Sequence, residues 1–174
     1  LNSGSRLVYP AVFADDKREV YLEGEAIFEV THDRQRPFKV LSEGQEIEVL
    51  GTEFNVKSYR DETNIYTTLV EGKVTIATGT TKKVLKPNQQ SNLNLNNNTI
   101  SIDPTNVDQE ISWRKGVFSF KGKSLEEIAK VLSRWYDVDI EFSKPELKNV
   151  KFNGVLKKQE SIEEILNSIQ IYEN

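Results

Sequence analysis

Period-two alternation governs residues 6 to 102. Between Val20 and Val30, the residues Val20, Leu22, Ala26, Phe28 and Val30 share one face. Tyr21, Glu23, Glu25 and Glu29 take the other, with Ile27 the only apolar exception. Successive strand side chains point to opposite sides, so this pattern predicts a strand with one buried face. Shorter runs follow at Phe38/Val40, Ile47/Val49, Phe54/Val56, Ile65/Thr67/Leu69, Val74/Ile76, Leu93/Leu95 and Ile100/Ile102. Turn signals separate them, among them Glu43-Gly44, Glu71-Gly72, Thr78-Gly79 and Asn96-Asn97-Asn98. Many short strands with frequent turns predict an all-β sandwich or roll over residues 1–104.

The period changes after Asp103-Pro104. The polar stretch to Glu110 reads as a linker, set at 105–111, and a short strand is expected at Val117, Phe118 and Phe120. A helix then opens at Ser124, with Leu125, Ile128, Ala129, Leu132, Trp135 and Tyr136 recurring at spacings of three and four. Ser124 and Glu127 form a capping box, in which each side chain satisfies an otherwise orphaned backbone N–H. Asp137 marks the exit, and Val138, Ile140 and Phe142 alternate as a further strand.

The unit then comes round again. Phe152, Val155 and Leu156 predict a strand, Ser161 with Glu164 a second capping box, and Ile162, Ile165, Leu166 and Ile169 a second apolar stripe. Ser124-Leu-Glu-Glu-Ile128 and Ser161-Ile-Glu-Glu-Ile165 are near copies. They read as a duplicated unit, or as two capped helices that share a pattern. The expectation is two domains, the all-β one followed by a small α+β domain of βαββαβ type over 112–174, its helices packed on one face of a small sheet. Aligning the copies places Gln170 opposite Ser133, and Arg134 to Val138 then have no counterpart before Ile171. That mismatch, with no methionine in the whole chain, leads to the expectation of an unrecorded loop between Gln170 and Ile171.

Composition narrows the chemistry. Of the 174 residues, 37% are hydrophobic and 29% charged. No apolar run approaches the roughly 18 residues of a membrane helix. Zero cysteines exclude disulfides and thiol nucleophiles, and one histidine, His32, excludes a multi-histidine metal site. A net charge of -4 argues against nucleic acid, whose phosphates call for a concentrated basic face. The chain opens on Leu1-Asn2-Ser3-Gly4 without an initiator methionine or signal peptide. It reads as a piece of a longer protein, with a membrane anchor expected upstream.

Candidate reactive groups are few. His32 lies in the polar turn Thr31-His32-Asp33-Arg34 and reads as solvated. Glu23 and Glu25, two apart on one strand face, could form an acid/base pair, but read better as a solvated face. Glu126/Glu127 and Glu163/Glu164 suit first helical turns, where negative charge complements the helix dipole. Lys144, Lys148, Lys151, Lys157 and Lys158 are spread over strands and loops without a stacking platform. Trp113 and Trp135 could stack on sugars, though Trp135 falls on the apolar stripe. No phosphate-cradling glycine motif occurs. An enzyme is not expected, and neither is a cofactor.

The ordered motifs are distinctive. Gly4-Ser-Arg-Leu-Val-Tyr-Pro10 precedes Val20-Tyr-Leu-Glu-Gly-Glu-Ala-Ile-Phe-Glu-Val30, Pro37-Phe-Lys-Val40, Val49-Leu-Gly-Thr-Glu-Phe-Asn-Val56 and Thr68-Leu-Val-Glu-Gly-Lys-Val74. In this order they resemble the FecR family of transmembrane anti-sigma factors. Residues 112–170, with Trp113-Arg-Lys-Gly-Val-Phe118 and Leu132-Ser-Arg-Trp-Tyr-Asp-Val138, resemble the C-terminal domain of Bacteroidota members. That domain is similar in turn to the short secretin and TonB-receptor N-terminal domain. Gly24, Gly51 and Gly72 read as positions where a bulge or positive φ excludes a Cβ.

The resemblance implies a periplasmic relay. The signalling domain of a nutrient-bound TonB-dependent outer-membrane receptor would contact this segment. The signal would then cross the inner membrane to an extracytoplasmic-function sigma factor, through a single helix and a cytoplasmic region outside this segment. Neither nucleic acid nor a small-molecule substrate is implied. The segment Val138, Asp139, Ile140, Glu141 and Phe142 is the candidate docking edge, where a partner strand could add, unless it is an interior strand. The alternative is a carbohydrate-binding β-sandwich using Tyr9, Tyr21, Tyr59 and Tyr66.

Overall fold

The computed structural model describes residues 1–170, and the chain divides into two compact units, Leu1–Ile111 and Ser112–Asn174. The first unit is β throughout, apart from one helical turn. Its strands are β1 (Arg6–Val8), β2 (Arg18–Val30), β3 (Phe38–Ser42), β4 (Gln45–Val49) and β5 (Thr52–Ser58). Then come β6 (Asn64–Glu71), β7 (Val74–Thr78), β8 (Thr81–Leu85), β9 (Gln89–Asn94) and β10 (Thr99–Pro104). They form one sheet in the order β10-β9-β6-β5-β2-β3-β4-β7-β8, with β1 added on β2.

The long strand β2 joins the two halves of this sheet. Arg18 to Tyr21 pair in parallel with β3, whereas Gly24 to Val30 pair antiparallel with β5. The change of partner falls beside Gly24, whose φ of +101° is a left-handed value that side chains with a Cβ avoid. Val20, Leu22, Ala26 and Phe28 turn inward as the alternation predicts, and pack with Val40, Ile47, Phe54, Val56, Leu69 and Ile76 in the core. Phe28 stacks on Phe54 with ring centroids 5.3 Å apart.

The expected linker 105–111 is folded. Asn106 caps a short helix α1 (Val107–Glu110) by accepting from the Gln109 N–H, and α1 lies against β6. The Thr105 N–H donates to the Asn88 carbonyl. The first compact unit therefore extends to Ile111 instead of stopping at 104.

The second unit begins with a 3-10 turn over Ser112–Lys115. It continues through β11 (Val117–Ser124), α2 (Leu125–Tyr136), a second 3-10 turn over Pro145–Asn149, β12 (Lys151–Lys157) and α3 (Ile162–Gln170). Both capping boxes form. The Ser124 N–H donates to Glu127 Oε2 at 2.8 Å and the Glu127 N–H to Ser124 Oγ at 3.2 Å. Ser161 and Glu164 repeat the pair at 2.8 and 3.2 Å. Burial tends to raise the Glu127 carboxyl, but the hydrogen bonds from Ser124 and the Lys123 ammonium outweigh it and hold the pKa down at about 2. Asp137 ends α2 in the left-handed conformation. Phe118, Phe152 and Leu156 from the strands meet Ile128, Leu132 and Ile165 from the helices in a second core.

The βαββαβ expectation requires correction. Among the described residues the order is β–α–β–α, with β11 and β12 antiparallel in a two-stranded sheet. Residues 138–142 are not a strand. Val138, Ile140 and Phe142 are half-buried, while Asp139 and Glu141 are exposed, and Ile140 packs against the second core. Alternation reports which side chains face the core, whereas a strand also needs a neighbouring backbone. No described residue supplies one. The Gln170–Ile171 junction lies outside the described residues.

Candidate functional site

The polar centre of the first unit is built on Gly24-Glu25. Glu25 belongs to the strand face opposite the core, and its expected solvation is overturned, since only 7% of it is exposed. The cover is the amino-terminal segment Asn2–Ser5. The Asn2 amide donates to Glu25 Oε2 at 2.7 Å, and the Asn2 N–H donates to the Glu25 carbonyl at 2.8 Å. The Glu25 N–H donates to Ser5 Oγ at 2.8 Å. From β5, the Asn55 amide donates to Glu25 Oε1 at 2.9 Å. The Tyr59 hydroxyl donates to the Ser3 carbonyl at 2.9 Å.

This clasp explains why glycine stands at position 24. A Cβ there would lie 2.7 Å from the Ser5 Cα, so any side chain would push the covering segment away. Burial pushes the Glu25 carboxyl above the usual glutamate value. Its cross-strand neighbour Lys57 and the two amide donors pull the other way. Lys57 is itself ion-paired to Glu62 at 2.7 Å.

The Glu23/Glu25 pair does not work as a unit. Glu23 accepts from the exposed Arg60 guanidinium at 3.0 Å, while Glu25 is enclosed by amides. His32 is exposed, and its backbone closes on Gly51, where a Cβ would lie 2.6 Å from the His32 Cα. No group of three or more potential metal ligands occurs among the described residues. Of the four tyrosines, Tyr59 is buried and serves the clasp, whereas Tyr9 and Tyr21 are exposed and Tyr66 is half-buried. Tyr21 lines an open cavity of about 640 Å³ together with Arg6, Glu23 and Arg60.

In the second unit Trp135 is core-packed, edge-on to Phe118 with centroids 4.6 Å apart, and the Lys158 ammonium caps its ring at 4.1 Å. Trp113 is half-buried, with its indole nitrogen buried. Lys148 pairs with Glu126 at 3.3 Å and Lys151 with Glu127 at 3.8 Å. Lysines that read as dispersed are partly gathered: Lys157 and Lys158 line one cavity of about 450 Å³ with Lys115. The antiparallel register of β11 on β12, which places Val117 opposite Lys157, brings them together. Only that pairing, and no linear motif, signals the cluster.

The first unit is thus a β roll whose polar side chains pin a chain segment, and the second a small capped β/α unit. Comparison with known proteins gives the class. The FecR protein family model matches residues 1–75, and the FecR C-terminal model matches residues 117–174. Two crystal structures of a candidate anti-sigma factor from Parabacteroides distasonis ATCC 8503 superpose on the chain. One has a TM-score of 0.91 at 29% identity and the other 0.90 at 30%, each covering 99% of this chain and 81% of that one. No curated protein is significantly similar. The chain belongs to the FecR family of anti-sigma factors. No helix among the described residues is long and apolar enough to cross a membrane.

Proposed function

We propose that this chain is the periplasmic, signal-receiving part of an anti-sigma factor anchored by a single inner-membrane helix. It takes the state of a nutrient-loaded TonB-dependent receptor from that receptor's signalling domain and passes it to an extracytoplasmic-function sigma factor. The observation that carries this reading is the ordered occurrence of both family halves on one chain. It acts by binding, without catalysis or a cofactor. The second unit is the receptor-facing module. Val138–Phe142 is its candidate docking segment, because Asp139 and Glu141 are exposed and its backbone carries no sheet ladder among the described residues.

Calorimetric titration against a panel of receptor signalling domains tests the reading. Saturable binding of one domain is expected, with a sigma-dependent reporter losing its nutrient response when residues 112–174 are deleted. Failure of every domain to bind, with an unchanged reporter, would sink it. Tyr21 favours a second reading, because it offers an exposed ring beside Arg6, Glu23 and Arg60 in one cavity, the kind of wall on which a sugar stacks. Tight oligosaccharide binding that is lost in Tyr21→Ala would favour that reading instead.

A further inference from the structure

Among the described residues the sheet of the second unit has two strands, each with one unpaired side, and the two sides are unequal. On β11 the register shifts between Phe120 and Lys123, with Gly122 at a φ of +63°. Such irregularities discourage pairing. β12 runs for seven residues without proline and pairs only with β11 among the described residues. Phe152 and Leu156 point into the core, so Lys151, Asn153, Val155 and Lys157 face solvent. Val155 is 61% exposed, an apolar position set between cations.

The charge of this face is one-sided. Lys121 and Lys157 are exposed and have no acidic partner among the described residues, and Lys151 reaches only Glu127, at 3.8 Å. Lys151 and Lys157 are six residues apart, about 20 Å along a strand. A strand laid antiparallel on β12 would bring its own alternate side chains opposite Lys157, Val155, Asn153 and Lys151 in turn. The complementary sequence is therefore acid–x–apolar–x–polar–x–acid.

We propose that the free edge and solvent face of β12 dock an acidic β-strand of a protein partner with that pattern. The proposal rests on the reading of the second unit as the partner-binding module. It adds a basic surface distinct from the acidic segment Val138–Phe142. Main-chain hydrogen bonds supply affinity, and the flanking lysines choose the partner and set its register.

The test uses the full 174-residue chain, isotope-labelled for NMR, and the blocked peptide Thr-Glu-Thr-Val-Thr-Thr-Thr-Glu-Thr. Saturable shifts at the β12 amides are expected. The dissociation constant should rise at least tenfold in K151E/K157E, and a peptide with lysine in place of both glutamates should prefer that variant. K151Q/K157Q, which is neutral, serves if charge reversal disturbs the fold by circular dichroism. Shifts confined elsewhere, or equal affinity for all variants, overturn the proposal. So does a chain dimer in sedimentation that K157E dissolves, because the occupant is then a second copy. A receptor signalling domain that binds wild type and K151E/K157E alike overturns this surface and leaves the proposed function standing. Peptide binding on β12, with no receptor domain binding, has the opposite meaning.

Discussion

Asn2 holds Glu25 twice: its side-chain amide meets the carboxylate at 2.7 Å, and its backbone N–H meets the Glu25 carbonyl at 2.8 Å. A segment twenty-odd residues upstream is thereby fixed across the outer face of β2. The segment and the Glu25 side chain hold each other in place. Without the cover the carboxylate would be solvated, and without the carboxylate the Asn2 amide would lose its partner.

Removing that partner has a defined cost. Glu25→Ala strands the Asn2 and Asn55 amides and should destabilise the first unit by about 1–3 kcal/mol. Glu25→Gln should cost less. Asn55 Oδ1 is buried without a protein partner, and a flipped Asn55 amide would present it to the new N–H₂ group. Urea unfolding of the three proteins at pH 7 orders them. Equal loss in both variants would contradict the arrangement.

The pH dependence follows from the raised carboxyl. The folded state holds the Glu25 proton more tightly than the unfolded chain. Its contribution is therefore complete below the usual glutamate value, about 4.3. It declines as pH rises from there through the raised folded value, then stays level. Glu25→Gln should remove that decline, which paired denaturation curves between pH 4 and 8 would show.

Gly24→Ala should be more damaging than most surface changes. It places a Cβ at a φ of +101° and 2.7 Å from the Ser5 Cα. Strain of this kind costs on the order of 1–3 kcal/mol. Amide exchange should accelerate at Asn2 and Glu25, whose N–H groups donate within the clasp. Unchanged protection there would show that the segment is held by something else.

The helix caps make a separate prediction for the second unit. Ser124→Ala should cost about 1 kcal/mol. The Glu127 carboxyl, held down at about 2, acts in the opposite sense to Glu25. Its contribution is present above about 4.3 and is lost as pH falls toward 2. Both tryptophans of the chain, Trp113 and Trp135, lie in this unit, so tryptophan fluorescence follows it alone. An acid transition unaffected by Glu127→Gln would remove this assignment.

The units should also separate. Residues 1–111 should fold alone, and 112–174 should be marginal, since so small a core lacks disulfides to support it. A fragment ending at 104 should be less stable than one ending at 111, because it loses the Thr105 bond to Asn88 and the Asn106-capped turn. Circular dichroism melts of the three fragments decide. An unfolded 1–111 would reject the division.

Local signals carried much of this architecture. Alternation located the strands of the roll except β1 and the largely exposed β8 (Thr81–Leu85), which carry no alternating apolar run. Ser124 with Glu127 and Ser161 with Glu164 located the helix starts, because caps are closed within one turn of chain. Asp137 was equally legible as an exit. Val138–Phe142 shows where periodicity stops being informative. Its side chains alternate in burial as a strand's would, yet a ladder depends on a second backbone that no local pattern encodes.

The sequence by itself determined which residues turn toward each core, where the helices are capped, and the family to which the ordered motifs belong. Those features depend on interactions spanning a few residues or on a strict repeat of two or 3.6. Tertiary structure alone decided that Glu25, on the polar face of β2, is buried while Glu23 on the same face stays partly exposed. It also decided that Lys115, Lys157 and Lys158 share one surface. Alternation assigns a side chain to a face of the sheet, but the environment of that face is set by distant chain laid over it. Here the segment Asn2–Ser5 covers Glu25, and the pairing of β11 with β12 collects the lysines.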